Sequence, residues 1–402
     1  MTKTLVRGQG VIDGTGSGYR HRDGLLVEDH RIIQVGAEEK LRERADEVLD
    51  LGSAVLLPGF VDAHTHITVR PGEGDQHGQL RAPPVWQALR GVENVRRMVG
   101  SGVTTIRVMG ERAGIDVDFK DAVEAGELRA PRMRVATRAL SATNGHGAAL
   151  GVADGPEALR QAVRENLKDG ADHIKIFMTG GVSSTGSDID AYYYSREEVR
   201  VVVEEAHRAG VPVAAHAHGG EGVDLCVEEG VDSIEHGGLL TPKNIEAMAA
   251  HDTWLVLTNA IVFHPAGIES GDARNPSIID RMRKVRSSIE SAFERIKDAG
   301  LRYALGTDSM HGLFGYELEW LVQRGVDPEQ AIVAATRNGA EVLRSADEIG
   351  TLEAGKYADF TAVIGNPLED VRAVYEVVAV AKGGRLLLHK DQERTSPRMM
   401  GG

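Results

Sequence analysis

GFVDAHTHI, residues 59–67, combines the pattern of a buried strand with two histidines two residues apart. Side chains two positions apart on a strand point to the same side of the sheet, so His64 and His66 are expected to face the same way. Two imidazoles at the end of a strand fill a core poorly, but they are well suited to binding a metal ion. The stretch therefore predicts a strand that contributes to a metal site at its carboxyl end.

Seven further short apolar runs follow this strand, and helical patterns at 157–168, 195–209 and 279–299 lie between some of them. The runs are VTTIRVM (103–109), MRVATRAL (133–140), HIKIFMTGG (173–181), VPVAAHAH (211–218), SIEHGG (233–238), WLVLTN (254–259) and YALGTDS (303–309). Eight buried strands that alternate with helices predict an α/β fold, a closed parallel (β/α)8 TIM-like barrel. The alternative is an open doubly wound sheet, which usually has a glycine-rich phosphate loop after its first strand, where this chain has DAHTH (62–66).

Short strand patterns at both ends of the chain predict a second, smaller unit. Four lie at 5–7, 24–28, 31–35 and 48–51; after a helix predicted at 328–345, four more lie at 350–352, 358–364, 374–382 and 385–388. Because neither end could bury a core alone, we expect both to pair into a small β-sandwich. The predicted domains are 1–58 (N-terminal part of the sandwich), 59–346 (the barrel) and 347–402 (C-terminal part plus a tail that frays from residue 391).

The composition limits the classes of partner. The 402 residues carry a net charge of −14, and an acidic surface repels phosphate backbones and anionic lipid, so we expect neither nucleic acid nor membrane as a partner. No run approaches the roughly 20 apolar residues of a membrane-spanning helix, and the N-terminus lacks the apolar core of a signal peptide. The single cysteine, Cys226, excludes an internal disulfide and suits a reducing compartment. The expected location is the cytoplasm.

Further chemically active side chains lie at the ends of the predicted strands. Lys175 is in the fourth run, His216 ends the fifth, His236 ends the sixth and Asp308 ends the eighth. Active sites of parallel barrels are built at the carboxyl ends of the strands. A lysine in such a run could be explained by a carboxylate partner, or by a side chain that extends its charged end to solvent. Its position beside four histidines and an aspartate at one end of a barrel favours a functional site instead.

Five motifs give the chain a resemblance to the amidohydrolase superfamily: PGFVDAHTH (58–66), HIKIFMTGG (173–181), AAHAHG (214–219), SIEHGG (233–238) and GTDS (306–309). The later segment IGTLEAGKYADF (349–360) is similar to the one that returns the family's chain to its small β-domain. Within the superfamily the chain most resembles imidazolonepropionase-like hydrolases and Xaa-Pro or Xaa-Arg dipeptidases. These are binuclear enzymes in which the fourth-strand lysine is carboxylated by carbon dioxide.

The resemblance implies two divalent metal ions, usually Zn²⁺, and a role for each motif residue. His64, His66 and Asp308 would hold one ion, and His216 and His236 would hold the other. Carboxylated Lys175 would bridge both ions, and Asp308 would act as general base and then as general acid. The catalytic residues implied in this way are Asp308, His146 and His236.

The same resemblance suggests residues that contact the substrate. His146, in the loop after the third strand, is expected to meet the substrate carbonyl, the alternative being a role in shaping the loop. The other expected contacts are His218, which could instead support the metal ligands, Tyr194 and His311. Loops 68–84 and 260–278 are expected to set specificity, with Arg70 or Arg81 as candidates for binding a substrate carboxylate.

One sequence position separates hydrolysis from deamination within the superfamily. In the mononuclear deaminases the fifth-strand histidine is followed three residues later by a glutamate, whereas here Gly219 follows His216. We therefore predict cleavage of an amide or peptide C–N bond in a small molecule, a dipeptide or an N-acyl amino acid. A cyclic-amide hydrolase or a deaminase is the alternative enzyme. An inactive scaffold homologue would be expected to lack metal ligands, yet all six are present. The family implies a homo-oligomer.

Overall fold

The computed structural model describes residues 2–184 and 188–390, and its strands fall into an N-terminal, a central and a C-terminal group. The N-terminal strands are β1 (Lys3–Arg7), β2 (Gly10–Ile12), β3 (Tyr19–His21), β4 (Asp23–Glu28), β5 (Arg31–Ala37), β6 (Glu47–Asp50) and β7 (Ala54–Pro58). The central strands are β8 (Phe60–Thr65), β9 (Val103–Val108), β10 (Arg132–Val135), β11 (Ile174–Phe177), β12 (Val213–Gly219), β13 (Ser233–Leu239), β14 (Trp254–Leu257) and β15 (Tyr303–Leu305). The C-terminal strands are β16 (Phe360–Ile364), β17 (Val377–Lys382) and β18 (Arg385–His389).

Helices connect most of the central strands. The helices of the described residues are α1 (Glu38–Arg42), α2 (Gln76–Leu80), α3 (Pro84–Gly100), α4 (Ile115–Glu124), α5 (Pro156–Lys168), α6 (Arg196–Arg208), α7 (Gly220–Glu228), α8 (Pro242–Ala250), α9 (Asn259–Phe263), α10 (Ile268–Gly271), α11 (Pro276–Asp298), α12 (Phe314–Gln323), α13 (Pro328–Ala335) and α14 (Arg337–Val342), of which α2 to α11 lie between central strands. Short 3-10 helices lie at Pro71–Glu73, Arg112–Gly114 and Val371–Tyr375. None of the helices within the described residues is long and apolar enough to cross a membrane.

The central strands form two parallel sheets, β10-β9-β8 and β11-β12-β13-β14-β15. Backbone hydrogen bonds join the sheets at both edges. The Leu140 amide, beyond β10, donates to the Lys175 carbonyl at 2.8 Å, and the Asp308 amide, beyond β15, donates to the His64 carbonyl at 2.8 Å. The first bond places the segment after β10 beside β11, and the second places the segment after β15 beside β8. The predicted α/β class is confirmed, and each of the eight predicted runs overlaps one of these strands.

The terminal strands form two further sheets. One has the order β5-β4-β1-β6, and the other, β18-β17-β16-β7-β2-β3, combines strands from both ends of the chain. Residues of both sheets, such as Leu25 and Phe360, belong to one apolar cluster, as the predicted β-sandwich requires. Pro58 pairs with Phe360, so the chain leaves the six-stranded sheet just before β8 and returns to it at β16. The domain boundaries stay a prediction, and the predicted frayed tail from residue 391 lies outside the described residues.

Four local predictions were wrong. The predicted strand at 350–352 is absent from the described structure because Gly350 has a positive φ of 90°, which breaks an extended strand. The predicted helix at 328–345 divides into α13 and α14 at Thr336, whose φ of −131° and ψ of −84° are not helical. The two segments predicted as loops are partly helical: 260–278 contains α10 and most of α9, and 68–84 contains α2 and the 3-10 helix Pro71–Glu73.

Candidate metal centre and active site

A cavity opens at the carboxyl ends of the central strands. All six side chains predicted as metal ligands line it: His64, His66, Lys175, His216, His236 and Asp308. His146 and His218 line it as well. The fold therefore brings together residues that are up to 244 positions apart, as the strand-end pattern predicted.

His64, His66 and Asp308 have the spacing of a cation site. Each offers one donor atom, and these atoms lie within 4.8 Å of one another. Nε2 of His64 is 3.6 Å from Oδ1 of Asp308. Asp308 reaches this position from a left-handed backbone conformation, with φ at 46°, just after β15. Two imidazoles and one carboxylate are a donor set that suits zinc and similar divalent ions.

Hydrogen bonds orient both imidazoles on β8. Nδ1 of His66 is 2.8 Å from the Gly110 carbonyl, so it carries the proton and Nε2 remains free as a donor atom. Nδ1 of His64 is 2.7 Å from Oε2 of Glu235, which leaves Nε2 of His64 free toward Asp308. A carboxylate or carbonyl behind a histidine is the usual way in which proteins fix the tautomer of a metal ligand.

His216 and His236 lie directly beside these three residues. The ring of His236 is 4.6 Å from that of His64 and 4.6 Å from that of His216, measured between centroids. Nδ1 of His236 contacts the Thr258 hydroxyl at 2.8 Å, and Nε2 of His216 contacts the Gly180 carbonyl at 3.0 Å. Each ring therefore keeps one nitrogen available for another ligand.

Lys175 is fully buried, and its Nζ has no hydrogen-bond partner among residues 2–184 and 188–390. Burial lowers the pKa of its ammonium group, because a charged amine is poorly solvated in the interior, while Glu235 and Asp308 oppose that shift. The Phe177 ring is 5.1 Å from Nζ. A lysine without a partner at this depth is expensive to keep charged and is available for chemistry.

Burial also controls the protonation of the other cavity residues. It lowers the pKa of His66 and of His218 to about 4, and it lowers the pKa of His64, His216 and His236 well below its usual value. Their imidazoles are therefore neutral at pH 7, the form that binds metals. Burial raises the pKa of Asp308, with Glu235 adding to the shift and Lys175 opposing it.

His146 stands at the mouth of the cavity. Its ring is 4.8 Å from that of His216, and its Nδ1 contacts the Ser184 hydroxyl, which also lies 3.3 Å from Nε2 of His77. His218 lies deeper, with its ring 5.0 Å from that of His216. Both residues line the cavity, and their contact with a substrate stays a prediction.

Two other predicted substrate contacts are placed elsewhere. Tyr194 is buried in the apolar core and its hydroxyl donates to the Ala153 carbonyl at 3.1 Å, so it is absent from the cavity lining among the described residues. His311 is also absent from that lining, and its Nε2 lies 2.9 Å from the His66 carbonyl. His311 therefore contacts the backbone of the segment after β8 rather than a ligand in the cavity.

The two arginines predicted as candidates for binding a substrate carboxylate also differ in their position relative to the cavity. Nε of Arg70 donates to Asn94 at 2.7 Å, and Arg70 also pairs with Glu73 at 3.2 Å. Arg81 instead lines an outer, polar chamber that adjoins the cavity and shares His146 with it. Of the two arginines, Arg81 is thus the one that lies beside the cavity.

Comparison with known proteins agrees with this geometry. Residues 55–387 match the Amidohydrolase family. The chain belongs to the amidohydrolase family. It is 29% identical to the ochratoxinase of Aspergillus niger, covering 95% of this chain and 86% of that protein, and 28% identical to the imidazolonepropionase of Salinispora tropica, covering 84% and 85%. The crystal structure of a Xaa-Pro dipeptidase with bound methionine in the active site superposes with a TM-score of 0.87 at 30% identity, covering 96% of this chain and 99% of that one.

The predicted resemblance is therefore confirmed, and the relatives support hydrolase activity for this amidohydrolase. The sequence interpretation missed the residues behind the ligands, above all Arg107 and Glu235. Glu235 directly precedes His236 on β13, and strict strand alternation would point the two side chains to opposite faces. The positive φ of His236, 73°, breaks the alternation, so both reach the interior. The sequence did contain a signal for both residues: Arg107 and Glu235 are charged residues within runs that were predicted to be buried strands.

Proposed function

We propose that this amidohydrolase is a binuclear metal-dependent enzyme that cleaves the amide or peptide C–N bond of a dipeptide or an N-acyl amino acid. The observation that carries the proposal is the convergence of six potential metal-binding side chains on one cavity, with the unpaired amine of Lys175 among them. The bonds that join both edges of the two parallel sheets support a closed (β/α)8 barrel as the framework.

His64, His66 and Asp308 would hold one ion, and His216 and His236 the other. The neutral imidazoles and the donor spacing of the first three fit such ions. When bound, two divalent ions, most commonly Zn²⁺, supply a water with a pKa near neutrality and polarise the substrate carbonyl.

Lys175 fits the bridging role because its amine has no partner among the described residues and its pKa is lowered by burial. The neutral Nζ would form a bond to the carbon of carbon dioxide and lose one proton, which gives a carbamate with two oxygens. The chain would then present an anionic ligand in place of a cation, and this change also removes the unfavourable burial of the ammonium group.

Asp308 would move the proton. Its carboxylate stands against His64 and His236, and burial raises its pKa toward the range in which a carboxyl group exchanges protons near neutral pH. It would accept the proton of the attacking water and deliver it to the leaving amine. His146 would contact the substrate from the mouth of the cavity.

The rest of the cavity supports an apolar group on the substrate. Its lining is mostly aliphatic beyond the histidines: Val69, Leu80, Leu150, Val182, Ile261, Val262, Ile268, Val285 and Ile289. The outer chamber adds Arg81 and Arg112, together with Asp75 and Asp272. An apolar acyl group or side chain in the inner part, with a carboxylate near the two arginines, is the arrangement that this division of polarity favours.

The test combines metal content with hydrolysis. Protein purified without chelator is analysed by inductively coupled plasma mass spectrometry and is assayed for amine release from dipeptides and N-acyl amino acids. We expect about two divalent ions per chain and turnover of apolar substrates, with the Lys175→Ala variant losing metal and activity. Lys382→Ala is the control, because Lys382 is half-buried and bonds the Ala130 carbonyl at 2.9 Å, yet it does not line the cavity. About one ion per chain, unaffected by Lys175→Ala, would overturn the binuclear proposal.

A further inference from the structure

Beneath the proposed metal centre, a buried ion pair connects the two parallel sheets. Arg107 is on β9 and Glu235 is on β13, and both side chains are essentially inaccessible to solvent. Nη2 of Arg107 lies 2.8 Å from Oε1 and 3.0 Å from Oε2 of Glu235. One guanidinium nitrogen therefore bonds both carboxylate oxygens, and such charge-assisted hydrogen bonds are stronger than those between neutral groups.

The same two residues surround His64. Oε2 of Glu235 accepts from Nδ1 of His64 at 2.7 Å, while Oε1 accepts from the Ser233 hydroxyl at 2.6 Å. Nε of Arg107 donates to the carbonyl of Ala63 at 2.6 Å. The ring of His64 and the backbone just before it are therefore both held by the one network.

Folding stability alone is a poor explanation for this network. A buried ion pair loses so much solvation that well-packed apolar residues of similar volume often replace it without loss of stability. Apolar residues, however, cannot accept a hydrogen bond from Nδ1 of His64. A histidine without that acceptor can bind a metal through either nitrogen, and its ring is free to turn.

We propose that Glu235 and Arg107 are positioning residues that act through His64. Glu235 holds the proton of His64 on Nδ1 and points Nε2 at the site shared with His66 and Asp308, and Arg107 holds the Glu235 carboxylate in place. The inference rests on the proposed function, because it requires His64 to be a metal ligand.

The test measures metal affinity separately from activity. Chelator-treated protein is titrated with Zn²⁺ in competition with a chromophoric chelator, and Co²⁺ is added in parallel to record the visible absorption of the bound ion. We expect Glu235→Gln to weaken the tightest Zn²⁺ binding about 10- to 100-fold and to change the Co²⁺ spectrum. We expect kcat to fall by a similar factor with KM little changed.

A second variant separates positioning from folding. R107M/E235L replaces the pair with apolar side chains and leaves no unpaired buried charge, so we expect it to stay folded, as circular dichroism shows, and still lose Zn²⁺ affinity. Glu205→Gln is the matched control, since Glu205 is also buried and bonds three arginines, Arg160, Arg164 and Arg208, on the helices around the strands. It should leave both the Zn²⁺ affinity and the Co²⁺ spectrum unchanged.

The outcomes distinguish the inference from the proposed function. If the parent binds about two ions and R107M/E235L binds them with the same affinity and spectrum, the network is only structural and this inference fails alone. If the parent binds no divalent ion, the inference and the proposed function fail together. Should both variants fail to fold, NMR of the parent with ¹¹³Cd²⁺ and ¹⁵N-labelled histidine decides: coupling of cadmium to Nε2 of His64 supports the inference, and coupling to Nδ1 overturns it.

Discussion

Gly181 leaves the space that the ring of His146 occupies, because a Cβ atom on residue 181 would lie 2.4 Å from Nε2 of His146. The proposed substrate contact at the cavity mouth therefore depends on a glycine in the following loop. Gly181→Ala should displace the His146 ring, and a misplacement of about 1 Å near reacting groups can lower catalysis about 100-fold. We expect kcat/KM for an N-acyl amino acid to fall at least about tenfold, as measured by steady-state kinetics, with metal content unchanged.

Gly100→Ala is the matched control for that prediction. A Cβ atom on Gly100, at the end of α3, would meet nothing within 4 Å, so the substitution should leave kcat/KM as it is. If Gly181→Ala retains the activity of the parent, His146 does not need its present position, and its proposed contact with the substrate would have to be abandoned.

A substitution of Tyr194 tests whether this residue is part of the core rather than of the cavity lining. Its hydroxyl donates to the Ala153 carbonyl inside the core, so Tyr194→Phe should remove one buried hydrogen bond and lower the free energy of unfolding by about 1 kcal/mol. Because the side chain does not line the cavity, kcat/KM should stay within about twofold of the parent value, by the general independence of distant sites. Denaturant unfolding and steady-state kinetics give the two quantities. A tenfold loss of kcat/KM with unchanged stability would restore Tyr194 as a substrate contact.

The strand-end residues show how far the sequence predicts the site. A two-residue spacing such as His64 and His66 is a local property of a strand, and the meeting of parallel strand ends is a general property of the fold. These two facts suffice to bring Lys175 and Asp308 to the same cavity, as the structure shows. The family resemblance then supplied the chemical roles, which remain a proposal.

Interactions that depend on an irregular backbone could not be predicted from strand spacing and strand ends. The positive φ of His236 turns two neighbouring side chains inward, and no periodic pattern predicts it. Tyr194 follows two other tyrosines, and the pattern alone could not tell which of the three faces the core. Arg107 and Glu235 are 128 positions apart in the sequence and lie on strands of different sheets. Their pairing is therefore evident only from the arrangement of the two sheets.

The aliphatic wall of the cavity predicts a preference for apolar substrates. Val285 on α11 belongs to that wall, and Val285→Thr introduces a hydroxyl without lengthening the side chain. We expect KM for an apolar N-acyl amino acid to rise about three- to tenfold, because a polar group in an apolar pocket disfavours binding. The ratio of kcat/KM for large apolar acyl groups to kcat/KM for small acyl groups should fall. A panel of substrates measures this ratio.

Val203→Thr provides the comparison, because Val203 is buried on α6 and does not line the cavity. It should lose stability to a similar degree, and its substrate preference should match that of the parent. A narrowed preference in Val203→Thr would assign the effect to general loosening of the fold rather than to the wall.

The raised pKa of Glu317 predicts how this residue makes folding stability depend on pH. It is fully buried on α12 and accepts from the amides of Asn259 at 3.0 Å and Ala260 at 2.6 Å, yet burial raises its pKa to about 8. A carboxyl group whose pKa is higher in the folded than in the unfolded chain binds more protons when folded. Its stabilising contribution is therefore full below pH 4.5 and is lost as the pH rises through about 8.

Glu317→Gln should reduce this dependence, because the amide does not titrate. Between pH 5 and pH 8, in buffers at about constant ionic strength, the unfolding free energy of the parent should fall by about one to a few kcal/mol more than that of the variant. The parent and the variant are compared at equal metal content, so that pH effects on the metal ligands cancel. Asp62 and Glu111, whose pKa burial raises to about 7, are present in both proteins, as are the buried histidines, so the difference between the two slopes reports on Glu317. Equal slopes in both proteins would show that Glu317 stays ionised in the fold, held by its two amide donors.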